Sequence, residues 1–155
     1  MEIIYRSEQV DSIAGRLNIN KNVVNLVINN YVQHLVSKIN SGETVKFLNV
    51  CYLRVSQKQL AEDRETLAYI ATEIGSEVGV GGPTVLRILL SLEELICYQL
   101  LENRGFSIRY LVRIRMDDET VRVKKSTSLN GKDVYAVVLG SFRRKMLELV
   151  RRNAG

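Results

Sequence analysis

Residues 9–55 read QVDSIAGRLNINKNVVNLVINNYVQHLVSKINSGETVKFLNVCYLRV, and the spacing of apolar side chains in this stretch decides the fold. Val10, Ile13, Ala14 and Leu17 recur at helical spacing, and Val24, Val27, Ile28, Tyr31, Val32, Leu35 and Ile39 make a longer stripe of the same period. A short helix beginning near Ser7 and then a long one are predicted, each with a single apolar face. Asn20 has the chemistry of an N-cap for the long helix, and Ser41 with Gly42 stops it. The period then changes. Val45, Phe47, Cys51, Leu53 and Val55 fall on alternate positions, so a sheet with one face buried beneath the helices follows. Asn49, the polar exception, is the expected turn residue of a tight hairpin.

The same order returns from Thr66 to Met116. Leu67, Ile70, Ala71 and Ile74 stand 57 positions after the first short stripe. Val85, Ile88, Leu89, Leu92, Ile96 and Leu100 stand 61 positions after the long one, an offset that continues through Phe106, Ile108, Tyr110, Val112, Ile114 and Met116. The difference reads as a four-residue insertion in the helix-helix turn, at the glycine-rich segment Gly75 to Gly82. An α+β fold with a tandem repeat follows, divided into residues 1–57, a linker over 58–65, and residues 66–155. Copies this short bury little alone, so they are expected to share a core or to pack on neighbouring chains.

The carboxyl-terminal part adds two elements. After a turn at Asp117 and Asp118, Val121 and Val123 alternate with Arg122 and Lys124, and Asn130-Gly131 is a strong hairpin signal. The chain is expected to return through Val134 to Leu139, giving the second copy a two-stranded extension absent from the first. A closing helix capped by Ser141 then presents Phe142, Met146, Leu149 and Val150 on one face.

At 155 residues with 46% hydrophobic content, the chain can bury a core. Nothing in Met1 to Glu8 resembles a signal peptide, and no apolar run is long enough for a membrane span. A soluble protein made in the cytoplasm is expected, with no membrane partner. Two cysteines and one histidine leave little for a disulfide framework or metal centre. Cys51 and Cys97 align with Val112 and Val36 and read as small buried hydrophobes. His34 reads as a surface or rim residue. Gly79, Gly81 and Gly82 lack the lysine and preceding strand of a phosphate-binding loop, while Pro83 suits the first turn of a helix. No acid-base pair, nucleophile constellation or metal cluster is legible, so neither an enzyme nor a cofactor or small-molecule substrate is expected.

Net charge is +5, unevenly spread: +3 over residues 1–60, −5 over 61–105 and +7 over 106–155. Such polarity suits a polyanion on the basic side, or head-to-tail packing of identical subunits. Arg109, Arg113, Arg115, Arg122, Lys124, Lys125 and Lys132 are the candidate nucleic-acid contacts. Arg143, Arg144 and Lys145 crowd the start of the last helix, where the dipole disfavours cations, so either an anion is expected nearby, phosphate or interface carboxylates such as Glu93 and Glu94 of a neighbouring subunit, or the three are ordinary solvated charge.

Helix, turn, longer helix, Gly42, then Val45, Phe47 and a terse hairpin resembles the HU/IHF family of DNA-bending proteins. The resemblance is closest over Gln9 to Val55, and Val134 to Leu149 also looks like that family's last strand and closing helix. It implies an HU/IHF-like fold in tandem. That family grips DNA with long basic arms tipped by a wedging proline and has a Gly-Phe-Gly turn. This sequence has Asn49, Val50 and Cys51 at the turn, no arm in the first copy, and only a short proline-free hairpin in the second. IHF-like folds also occur in ring-forming proteins of tailed-phage necks and tails. The armless, duplicated chain resembles those more closely, which implies a ring-forming homo-oligomer contacting other virion proteins and located in the virion. The alternative is a nucleoid-associated, cytoplasmic protein that binds duplex DNA without sequence specificity.

Overall fold

The computed structural model describes residues 2–55, 65–125 and 134–154. In chain order its elements are β1 (Ile3–Ile4), α1 (Arg6–Leu17), α2 (Lys21–Asn40), β2 (Val45–Phe47), β3 (Cys51–Arg54), α3 (Leu67–Val78), α4 (Gly82–Leu101), β4 (Gly105–Ile108), β5 (Val112–Asp117), β6 (Thr120–Lys125), β7 (Tyr135–Val138) and α5 (Gly140–Ala154). The fold is α+β. The Asn20 side chain accepts from the Asn22 N–H and caps α2, which ends before Gly42 at φ 85°. Pro83 sits in the first turn of α4, while α5 begins at Gly140, one residue ahead of the expected cap Ser141.

The interval between corresponding helices corrects the sequence reading. Helices α1 and α3 are each 12 residues long, α2 and α4 each 20, and all four pairs of ends stand 61 positions apart. The buried residues Gln9, Val10, Ile13 and Ala14 match Ile70, Ala71, Ile74 and Gly75 at that same interval. Left-handed Asn18 (φ 54°) and Gly79 (φ 73°) close the two short helices in the same way. There is no four-residue insertion, because both turns are three residues long, 18–20 and 79–81. A helix turns every 3.6 residues, so a stripe displaced by about four lands on nearly the same face. Periodicity alone could not separate 57 from 61. Gly75 belongs inside α3, and a Cβ there would lie 2.4 Å from the Val80 carbonyl oxygen, so the glycine permits a close chain return.

The first hairpin also differs from expectation. Leu48, not Asn49, takes positive φ (49°). Tertiary bonds override the local preference: the Leu48 N–H donates to the Tyr31 hydroxyl at 2.8 Å and the Asn49 N–H to Glu93 Oε1 at 2.9 Å.

Two sheets result, one of four strands in the order β1-β4-β5-β6 and one of three in the order β2-β3-β7. The expected two-stranded extension of the second half is therefore wrong. β6 pairs with β5, whereas β7 crosses to the first half and pairs antiparallel with β3, Cys51 opposite Val138 and Arg54 opposite Tyr135. Conversely, β1 pairs in parallel with β4 of the second half. This third strand has the same register in both sheets: Cys51 faces Val138 as Val112 faces Lys125, and Arg54 faces Tyr135 as Arg115 faces Arg122. An edge at β3 offers main-chain donors and acceptors that β7 satisfies. The Asn130-Gly131 turn and most of the 58–65 linker lie outside the described residues.

One core joins the halves. Tyr31 and Phe47 from one, Ile88 and Phe106 from the other, and Phe142 and Met146 of α5 belong to a single buried cluster. Buried Gln9 fastens the crossing strand, its Nε2 donating to the Ile4 oxygen at 3.0 Å and the Ser107 oxygen at 2.7 Å. Cys51 and Cys97 are buried free thiols. Among the described residues no helix is long and apolar enough to cross a membrane.

Candidate nucleic-acid interface

Strands β5 and β6 turn alternate residues to opposite sides, as pleated backbone requires. Val112, Ile114 and Val121 are buried, whereas Arg113, Arg115, Arg122 and Lys124 are exposed. The register sets Arg113 directly opposite Lys124 and Arg115 opposite Arg122. Asp118 and Glu119, both at positive φ, make the tight turn that fixes this pairing. Four cations thus share one sheet face in two like-charge cross-strand pairs.

Asp117 partly offsets one pair, its Oδ2 lying 3.2 Å from Arg115 Nε and 3.8 Å from Arg122 Nε. Among the described residues, neither the Arg113 nor the Lys124 side chain has a hydrogen-bond or ion-pair partner. The four side chains surround a concavity of about 410 Å³ beside Gly105, which presents no side chain. Arg122 also lines a smaller groove of about 220 Å³ between β6 and β7, shared with Arg143 of α5. The cationic surface therefore runs from β5 across β6 to the start of α5.

The remaining candidates scatter. Arg109 lies in the β4-β5 turn, its guanidinium 4.8 Å from the Tyr110 ring centroid. Burial first, and the charge of Arg109 second, hold the Arg6 guanidinium below its ordinary range. Lys125 ends β6 opposite Val112, and Lys132 lies outside the described residues. Glu93, only 8% exposed, accepts from the Asn49 N–H and stands 3.7 Å from Lys145 Nζ. Glu94 pairs with Arg16 at 2.7 Å. Both carboxylates thus have partners within the chain, while Arg143 and Arg144 are exposed.

No serine or cysteine is paired with His34 among the described residues; its Nε2 lies 3.2 Å from Glu65 Oε2. Burial pushes the Cys51 thiol up to about 12, so it is not poised as a nucleophile. One group of possible metal ligands does form, from His34, Glu65 and Glu73. Sequence reading missed it because His34 is far from Glu65 and Glu73 in the chain and only the packing of α2 against α3 unites them.

The chain matches no protein-family model, no curated protein and no solved structure.

Proposed function

We propose that this is a non-enzymatic protein of HU/IHF-like fold, built by tandem duplication, that binds duplex DNA without sequence specificity through its four-stranded sheet. The observation that carries this reading is the exposed cross-strand set Arg113, Lys124, Arg115 and Arg122. Cations on adjacent strands can neutralise phosphates, which carry no sequence information. Binding is then electrostatic, positioned by backbone phosphates and without the kink that a proline-tipped arm provides. Fluorescence anisotropy against duplexes of unrelated sequence tests this. Affinities should agree within a few-fold and fall roughly a hundredfold between 50 and 200 mM salt, as about four phosphate contacts imply. Absence of binding at low salt, or a strong preference for one sequence, contradicts the reading.

A second reading, a ring-forming component of a phage neck or tail found in the virion, draws support from the other sheet. Tyr52, Tyr135 and Val137 are partly or fully exposed there, so the chain carries two unlike faces, as head-to-tail closure requires. Basic strands would then line a DNA channel. The internal pairing of Glu93 and Glu94 makes the geometry favour the first reading. Native mass spectrometry separates the two, closed rings without DNA supporting the second.

A further inference from the structure

Where α2 packs against α3, three side chains of metal-ligating type converge. His34 Nε2 lies 3.2 Å from Glu65 Oε2, and Glu73, farther along α3, brings a carboxylate oxygen so that one ligand atom from each lies within 4.8 Å of the others. Zinc bonds of about 2.0–2.2 Å to imidazole nitrogen and carboxylate oxygen place tetrahedral ligand atoms about 3.4 Å apart. The His34-Glu65 spacing already matches, and the Glu73 oxygen stands within 4.8 Å of both.

The surroundings favour a cation. Lys38 Nζ bonds Glu65 Oε1, and the Glu73 carboxylate lies beside that pair. A groove of about 670 Å³, lined in part by Asn30, Ser37, Glu73 and Glu77, opens beside His34 and leaves room for a water ligand. The cluster is also peculiar to one half. At the 61-residue interval, His34, Glu65 and Glu73 correspond to Leu95, Ile4 and Ser12, so nothing in the shared packing demands these residues.

We propose that His34, Glu65 and Glu73 form a three-ligand site for a divalent transition metal of the zinc class, joining α2 of the first half to α3 of the second. Lys38 occupies the place of the metal's charge in the metal-free protein, and entry of the ion displaces its ammonium from Glu65. This site is independent of the cationic sheet face.

The full chain titrated with Co²⁺, read by visible absorption and by competition with Zn²⁺, tests the proposal. One equivalent should produce a ligand-field band that Zn²⁺ abolishes, and Zn²⁺ should raise the thermal midpoint by several degrees. H34Q and E73Q should lose both effects while keeping the parent's circular dichroism, and K38M should bind about tenfold more tightly. No band at one equivalent, binding by H34Q equal to the parent's, or no gain in K38M overturns the assignment.

Discussion

In the four-stranded sheet the outward positions of neighbouring strands hold Arg113 with Lys124 and Arg115 with Arg122; in the three-stranded sheet the same positions hold Tyr52 with Val137 and Arg54 with Tyr135. The inward residues stay apolar in both, Cys51 and Leu53 in one matching Val112 and Ile114 in the other. Register is thus fixed by the side chains that enter the core, because a one-residue slip would expose them all. Outward positions carry no such constraint. Like charges set directly opposite one another cost stability, so the cationic face is an expense that the other sheet shows the fold does not require.

The largest expected effect breaks the comparison at its third strand. Phe142 is 2% exposed in the buried cluster that also holds Val134 and Val138 beside β7, and Phe142→Ala should cost about 3–5 kcal/mol in urea denaturation. Hydrogen exchange should then quicken at residues 51–54 before it does so in β5. Next comes the carboxylate that links the halves. Glu93→Ala removes the acceptor of the Asn49 N–H and should lower stability by about 1–3 kcal/mol, whereas Glu93→Gln should retain most of it.

The helical turns give a matched pair whose larger member is of comparable size. Gly75→Ala forces a methyl against the Val80 oxygen and should cost about 1–3 kcal/mol, while Ala14→Gly at the corresponding site should cost about 1 kcal/mol. Equal effects in thermal melts would show that the two turns are less alike than their caps. Smallest of all, Lys124→Leu relieves one like-charge pair and should raise stability by a few tenths of a kcal/mol while weakening duplex binding.

Much of this was legible in the sequence, for identifiable reasons. The helices, β2 and β3 of the first half and β4 and β5 of the second follow from apolar spacing, and Arg113, Arg115, Arg122 and Lys124 could be named because alternation with Val112, Ile114, Val121 and Val123 sends them outward together. What escaped depends on contacts between distant residues. Partner choice by β7 is invisible locally, since Tyr135–Val138 would alternate in the same way beside β6 as beside β3. β1 is two residues long and has no period to detect. The Leu48 turn follows from Tyr31 and Glu93, not from its own propensity. Glu93 and Glu94 looked free for a neighbour until folding brought Lys145 and Arg16 to them.

The most direct measurement compares the two faces in one titration series. Duplex affinity is followed against salt for the parent, for R113A/R115A/R122A/K124A, and for Y52A/Y135A/V137A. Neutralising the cationic face should weaken binding more than tenfold and shrink the salt slope by about 3.6, at roughly 0.9 for each phosphate no longer neutralised, while the three-stranded-sheet variant stays within twofold of the parent. Equal weakening in both variants, or an unchanged salt slope in the first, would contradict the account.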